Sequence, residues 1–320
     1  MTDISVVVPL YNEEESLEEL VAWISRVADE NNFSYEVLLI DDGSTDSSWD
    51  VINKLATENQ NIRGVRFNRN HGKSAALDAG FGLIKGDVVI TLDADLQDSP
   101  DEIPALFKKI KEEGYDLVSG WKKKRHDPFI KNNTSKIYNG VSRILTGIKL
   151  HDMNCGLKAY KADVVKNIHI YGEMHRYIPV IAKWQGFTKI GEQVVIHQKR
   201  KYGKTKFGME RFIHGFLDLL TIIFVSKFRK RPMHFFGTLG VLSFLFGFLS
   251  ASWIIWQKID SIYFSQVPVQ REVVDQPLFF LALVAIIIGV QLFLTGFIAE
   301  LLARQSASKK EHLVVDTVGE

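Results

Sequence analysis

Cysteine is nearly absent. With Cys155 alone in 320 residues, no intrachain disulfide exists, and the soluble part suits a reducing cytoplasm. A lone thiol is expected as a small buried side chain, not as a nucleophile. Neither sign of charge dominates, because 39 Lys and Arg face 38 Asp and Glu for a formal net charge of +1, a balance that does not suggest a nucleic-acid partner. With 46% hydrophobic residues, general disorder is excluded. The start, Met1-Thr2-Asp3-Ile4-Ser5, lacks a basic region leading into an apolar stretch and a small-residue cleavage site. No signal peptide is expected, so the first domain stays where it is made.

Charge is also missing from two long stretches, Phe235–Trp256 and Pro277–Ala299. At about 1.5 Å per residue each spans the roughly 30 Å of a hydrocarbon core, and both are expected as transmembrane helices. No ionisable residue sits near the middle of either, and Gln291 is the only strongly polar side chain in the second, which argues against an ion or proton pathway. Lys227, Arg229, Lys230 and Arg231 precede the first span, Arg304, Lys309 and Lys310 follow the second, and the connector 257–276 is nearly balanced. Both termini are therefore expected on the cytoplasmic side of the inner membrane in a multi-pass protein. Gly237, Gly240, Gly247, Gly289 and Gly296 permit close helix contacts, compatible with a homo-oligomer and equally with packing of the two spans. Between 209 and 228, Glu210, Arg211, His214 and Asp218 recur on one side, as in an amphipathic helix lying in the membrane interface, or one packed on the soluble domain.

Before these stretches, short apolar runs alternate with helical patterns. Strands are read at 4–9, 36–40, 63–67 and 88–92, and helices near 13–30, 46–58 and 73–84, with further strands at 117–120 and within 187–198. Ser44-Thr45-Asp46 and Asp98-Ser99-Pro100 are read as helix caps. The alternation predicts an α/β domain, a mostly parallel sheet with helices on both faces. The expected domains are 1–208 as the soluble domain, 209–232 as the interfacial region, 233–302 as a two-helix membrane domain and 303–320 as a tail.

The chemistry is read at strand ends. Asp93 and Asp95 flank Ala94 where Asp87–Leu92 runs out, so both carboxylates lean toward the carboxyl edge of the sheet. Such hard oxygen ligands suit Mg²⁺ or Mn²⁺ shared with a diphosphate. Pro9-Leu10-Tyr11-Asn12-Glu13 and Ile40-Asp41-Asp42-Gly43-Ser44 end two other strands on the same edge, where an acid accepts hydrogen bonds from a base or ribose and Tyr11 can stack on a base. The second string is equally common as a turn and cap. Asn70-His71-Gly72-Lys73-Ser74 lacks the glycine that a nucleoside-triphosphatase loop needs at Phe67. Lys73 at a helix start can face a diphosphate or cap a carbonyl. Gly80-Phe81-Gly82 lacks the third glycine of a dinucleotide fingerprint and is discarded. The basic run His197–Phe207 can neutralise phosphates at a membrane surface or attract anionic lipid headgroups.

Taken together, Val8–Glu13, Asp41–Ser44, Asn70–Lys73, Asp93–Gln97 and Arg200–Phe207 resemble, in order, an inverting family-2 glycosyltransferase with a GT-A (Rossmann-like) fold, of the polyprenyl-phosphate type that includes dolichyl-phosphate mannose synthases and bactoprenol glucosyltransferases. The resemblance implies transfer of one sugar from a UDP- or GDP-linked donor to a polyprenyl phosphate, undecaprenyl more than dolichyl, beside membrane lipids. It implies that Pro9, Tyr11, Glu13, Asp41 or Asp42, Lys73, Asp93 and Ala94 hold the nucleotide. Asp93, Asp95 and Gln97 would hold Mg²⁺ or Mn²⁺; Lys122, Asp152, Arg200 and Lys206 would serve the phosphates or acceptor; Asp93, Asp95, Arg200 and Lys206 would be catalytic. Lys122 and Lys158 stand where arginine is usual and Thr205 where serine is common, which loses the bidentate fork at the two lysines. Asp152–Gly156 resembles a second active-site segment. Two rivals stand beside this reading: transfer to a sugar hydroxyl, with Glu173 as base, and a membrane scaffold. The Gln-x-x-Arg-Trp string usual in the first rival is not supplied by Trp184–Phe187.

Overall fold

The computed structural model describes residues 2–123, 140, 143, 146–199, 201–202, 232–265, 272–305 and 314–318. They divide into two compact units, one holding the residues up to 202 together with 314–318, the other 232–305.

The first unit is built on a sheet. In chain order it contains β1 (Ile4–Leu10), α1 (Leu17–Glu30), β2 (Tyr35–Asp41), α2 (Ser48–Glu58), β3 (Ile62–Phe67), α3 (Lys73–Phe81), β4 (Val88–Thr91), a 3₁₀ turn Pro100–Glu102 running into α4 (Ile103–Lys111), β5 (Leu117–Trp121), β6 (Lys158–Lys161), α5 (Ala162–Asn167), a 3₁₀ turn Met174–Tyr177, α6 (Ile178–Trp184) and β7 (Ile190–Val194). The sheet order is β7-β5-β6-β4-β1-β2-β3, with β8 (Val314–Val318) added outside β3. β1, β2, β3 and β4 are mutually parallel, while β6 runs antiparallel between β4 and β5. Every residue of β1, β2 and β4 is buried, which is why these strands read as mostly apolar runs, broken by Ser5 and Glu36 near the start of β1 and β2. Helix α1 buries Leu17, Leu20, Val21, Ile24, Val27 and Ala28, one stripe at helical spacing.

The register aligns the strand ends. Leu10 sits opposite Asp41, and Val7 opposite Thr91, so β1, β2 and β4 release their chains at one edge. The strands leaving β1 run to β2 on one side and to β4 on the other, so a crevice opens where the order reverses.

Two local expectations shift. Helix α2 begins at Ser48, with the Asp46 carboxylate accepting the Ser48 N–H at 3.0 Å. Residues 13–16 form a turn ahead of α1, closed by the Ser16 N–H on the Glu13 carbonyl. The Ser99 cap is as expected, its hydroxyl accepting the Asp101 N–H ahead of Pro100.

The second unit is an antiparallel hairpin of α7 (Pro232–Asp260), which continues as a π-helical turn Ser261–Ser265, and α8 (Pro277–Gln305). Both helices are long and apolar enough to cross a membrane, and only 17% and 11% of their most apolar windows are buried, unlike core helices of a soluble domain. The glycines are consumed within the pair. A Cβ on Gly240 would lie 2.7 Å from the Gly289 carbonyl oxygen, and one on Gly247 would lie 2.5 Å from that of Ala282. Packing of the two helices thus accounts for these glycines. The expected interfacial helix 209–228 and the basic cluster 227–231 lie outside the described residues.

Candidate functional site

Two loops beyond β1 and β2 are stitched together. The Asn12 N–H donates to Ser44 Oγ at 2.9 Å, the Thr45 N–H donates to Asn12 Oδ1 at 2.8 Å, and the Glu13 N–H donates to Ser48 Oγ at 3.0 Å. Asn12 takes a φ of 54°, a left-handed conformation that asparagine tolerates. This places Tyr11 and Glu13 beside the residues after β2. A third loop docks through Gly43, where a Cβ would lie 2.4 Å from the Arg69 carbonyl carbon at a φ of +73°, so only glycine fits.

The paired acids Asp41 and Asp42 have different work. Asp42 accepts the N–H groups of His71 at 2.7 Å and Gly72 at 2.8 Å, spending both oxygens on the loop before α3. Burial raises its pKa despite these two bonds. Asp41 accepts the Ser44 N–H through Oδ1, while its buried Oδ2 makes no hydrogen bond and lies 3.7 Å from Arg66 Nε. Of the two acids, Asp41 is thus the one with an oxygen not committed to a hydrogen bond.

Gly72, at a φ of 92°, turns the chain into α3, and Lys73 is the first residue of that helix. Its Nζ reaches across to Asp93 Oδ1. The other oxygen, Oδ2, faces Gly156, where a Cβ would lie 2.5 Å away. The 152–156 segment is therefore brought to the acid pair at Gly156. Burial opposes ionisation of Asp93, but Lys73, with Lys122 behind it, outweighs burial and holds the carboxyl at about 2. Asp95 accepts the Gln97 N–H at 3.2 Å, and Leu96 between them adopts a left-handed φ of 57°. A leucine there is uncommon, and such backbone is typical of functional turns.

Lys122, expected at the phosphates, has 14% of its side chain exposed, and its Nζ lies 2.6 Å from Asp98 Oδ1, itself 1% exposed. The contact is a buried ion pair. Burial works against the Lys122 charge, yet its neighbours Cys155, Asp98 and Asp93 raise its pKa above the usual lysine range. Asp152 also turns inward: it is buried, its carboxylate accepts the Asn154 N–H at 3.2 Å and its carbonyl accepts the Ser119 hydroxyl. Burial pushes the Cys155 thiol up to about 12, which keeps it protonated, as expected of a buried thiol. Lys158 is buried with its ammonium on the Cys155 carbonyl.

Pro9 lies within β1 opposite Ile40, and Ala94 is buried between the two acids. The Gln97 carbonyl accepts the Gln198 N–H at 2.8 Å, and Asp98 bridges to His197, so the segment leading into the basic run is laid against the acid-pair loop. Arg200, Thr205 and Lys206 lie outside the described residues. Glu173 pairs with Arg176 at 2.8 Å.

Sequence reasoning missed two contributors. Asp98 was legible only as part of a cap. His175 is buried against the start of α3: Ser74 Oγ accepts its backbone N–H at 3.0 Å and lies 3.0 Å from Nδ1. Burial, reinforced by Lys73, Arg176 and Lys158, lowers its pKa well below the usual histidine value, so the ring is neutral.

The sequence model of glycosyl transferase family 2 matches residues 5–168. The chain belongs to that family. It is a glycosyltransferase. Among curated relatives, the dodecaprenyl-phosphate galacturonate synthase of Rhizobium johnstonii is 34% identical over 94% of this chain and 88% of its own length. An undecaprenyl-phosphate 4-deoxy-4-formamido-L-arabinose transferase of Shewanella sediminis is 40% identical over 71% of this chain and 68% of its own. Among solved structures, glucosyl-3-phosphoglycerate synthase of Mycobacterium tuberculosis with Mn²⁺ and UDP-glucose superposes with a TM-score of 0.53 at 20% identity, covering 70% of this chain and 79% of that one. Mannosyl-3-phosphoglycerate synthase of Rubrobacter xylanophilus gives 0.56 at 15% identity over 69% and 73%. At these identities the likeness is one of fold, and the fold of the glycosyltransferase unit is GT-A.

Proposed function

We propose that this glycosyltransferase moves a single sugar from a nucleotide diphosphate to a polyprenyl phosphate at the inner face of the cytoplasmic membrane. The observation that carries this is the extent of the likeness to the dodecaprenyl-phosphate galacturonate synthase, which takes in 94% of the chain. Undecaprenyl phosphate is the favoured acceptor, since it is named in several relatives. Two apolar helices would anchor the chain with both termini cytoplasmic, where nucleotide sugars are made.

The donor set suits a hard divalent ion. Among the described residues no group of three or more His, Cys, Asp or Glu could hold a metal, so the protein offers the carboxylates of Asp93 and Asp95 and the Gln97 amide, and substrate oxygens must complete the shell. This is how Mg²⁺ and Mn²⁺ are commonly shared with diphosphates. Mn²⁺ has the added support of the mycobacterial neighbour. When bound, such an ion supplies charge to the leaving diphosphate.

The chain's own residues do the rest. Asp41 Oδ2 is the acceptor offered to the base or ribose, Tyr11 stacks on the base, and Pro9, Glu13 and Ala94 shape the pocket. The bond from the anomeric carbon to the diphosphate oxygen breaks as an acceptor phosphate oxygen bonds to the opposite face, with inversion. That oxygen is already ionised near neutral pH, so no strong general base is needed. Arg200 and Lys206 are assigned to the phosphates, and alignment and charge carry the catalysis. Transfer to a sugar hydroxyl is disfavoured because its candidate base, Glu173, is held by Arg176.

Detergent-purified protein incubated with undecaprenyl phosphate, Mg²⁺ or Mn²⁺ and a panel of UDP- and GDP-sugars tests this by mass spectrometry of the lipid. One added sugar, lost in folded Asp95→Ala, is the expected result. Nucleotide release with no lipid product from any donor would overturn the acceptor.

A further inference from the structure

The Lys73 ammonium lies on one oxygen of Asp93 and the Gly156 backbone walls the other. We infer that Lys73 is an internal stand-in for the divalent ion: it neutralises Asp93 in the unliganded enzyme and moves to the diphosphate when ion and nucleotide arrive together. This rests on the reading of Asp93 as a ligand of that ion.

The charges decide the sequence of events. Asp93 and Lys73 cancel when nothing is bound. A divalent ion arriving alone would bring a second cation to the Asp93 carboxylate that Lys73 already neutralises. A diphosphate arriving alone would find Lys73 already committed. When both arrive, the ion takes the carboxylate and the ammonium takes a phosphate oxygen, and every charge has a partner. The two ligands must then tighten each other by the same factor.

The anchoring of Lys73 suits a side chain that moves on a main chain that does not. On one side, His71 and Gly72 are fastened by the Asp42 carboxylate. On the other, Ser74 is held by the His175 backbone and ring. Between these pins a flexible four-carbon stem can swing its ammonium through several ångströms without disturbing α3. The 32% exposure of the Lys73 side chain leaves it room to do so.

The test is Mn²⁺ binding to the full-length protein in detergent, read from the electron paramagnetic resonance of free aqueous Mn²⁺, alone and with UDP or GDP. Wild type should bind Mn²⁺ weakly alone and much more tightly with one of the nucleotides. Lys73→Gln should bind Mn²⁺ alone roughly five- to tenfold more tightly, because a competing cation has gone, and should lose most of the nucleotide-induced tightening. Lys73→Arg, which keeps the charge, should restore the weak binding of wild type; a merely structural lysine would not give this pattern. Unchanged or weaker Mn²⁺ binding by folded Lys73→Gln, with binding still dependent on Asp93, overturns the stand-in alone. Nucleotide-supported binding in Asp93→Asn equal to wild type overturns the assignment of Asp93 and the stand-in with it.

Discussion

A methyl group on Gly156 would sit 2.5 Å from Oδ2 of Asp93, closer than any real Cβ approaches an oxygen. The 152–156 segment is thus pressed against the acid pair by main chain alone. Gly156→Ala is expected to push the Asp93 carboxylate off Lys73 and to cut turnover at least about a hundredfold, the order seen when catalytic groups are misplaced by an ångström. Steady-state kinetics beside a far-UV circular dichroism spectrum check this; near-wild-type turnover would mean that Asp93 is not where the reaction needs it.

Asp98 and Lys122 form a pair that water hardly reaches. Asp98→Ala strands a buried ammonium and should lower stability by about 3–5 kcal/mol, whereas Asp98→Leu with Lys122→Met should regain most of it. Urea unfolding of the full chain in mild detergent reads both. Equal losses in the single and double variants would show that packing, not charge, matters there.

Asp93 and Asp42 answer acid with opposite signs. Burial opposes the Asp93 charge, but the Lys73 attraction prevails and sets its pKa at about 2, below the unfolded 3.8, so its contribution is complete above pH 3.8 and lost as pH falls through about 2. For Asp42, burial prevails over its backbone bonds and raises the pKa, so its contribution is present below pH 3.8 and lost as pH rises through the raised value. Lys73→Gln should therefore move the acid unfolding midpoint to higher pH, and Asp42→Asn should flatten the fall in stability just above pH 3.8. Fluorescence-monitored acid titrations separate the two; parallel curves for all three proteins would contradict both assignments.

Helix contact in the hairpin depends on backbone meeting backbone. Gly240→Val or Gly289→Val should destabilise the detergent-solubilised protein by about 1–3 kcal/mol through overpacking. Leu245→Val, on an exposed face, should stay within about 0.5 kcal/mol of wild type. Thermal unfolding compares them, and equal effects at all three positions would indicate that the contact is loose.

What was legible in the sequence follows from what each element needs. β1, β2 and β4 announce themselves because buried parallel strands are mostly apolar, and acids stand at or just past their ends. β6, Lys158-Ala159-Tyr160-Lys161, carries lysine at both ends and exists only because β4 and β5 pair with it from either side. Ser74 and His175 are 101 residues apart, so no local pattern signals their contact. Lys73 was balanced between a phosphate and a carbonyl, and its place on Asp93 depends on the turn that Asp42 pins, a tertiary fact. Lys122 reads as a phosphate ligand by position, and its pairing with the buried Asp98, 24 residues earlier, has no local signal.

The strand Val314–Val318 lies antiparallel on β3, with Val318 opposite Gly64, at the outer edge of the catalytic sheet. It also follows both long apolar helices in the chain. The sheet of the catalytic unit therefore cannot be finished while the ribosome is still delivering those helices: the edge of β3 stays open until the segment beyond them has been made. Synthesis order makes the anchoring segment a prerequisite for the finished catalytic sheet, and a nascent chain stalled between the two carries an unpaired strand edge exposed to its neighbours.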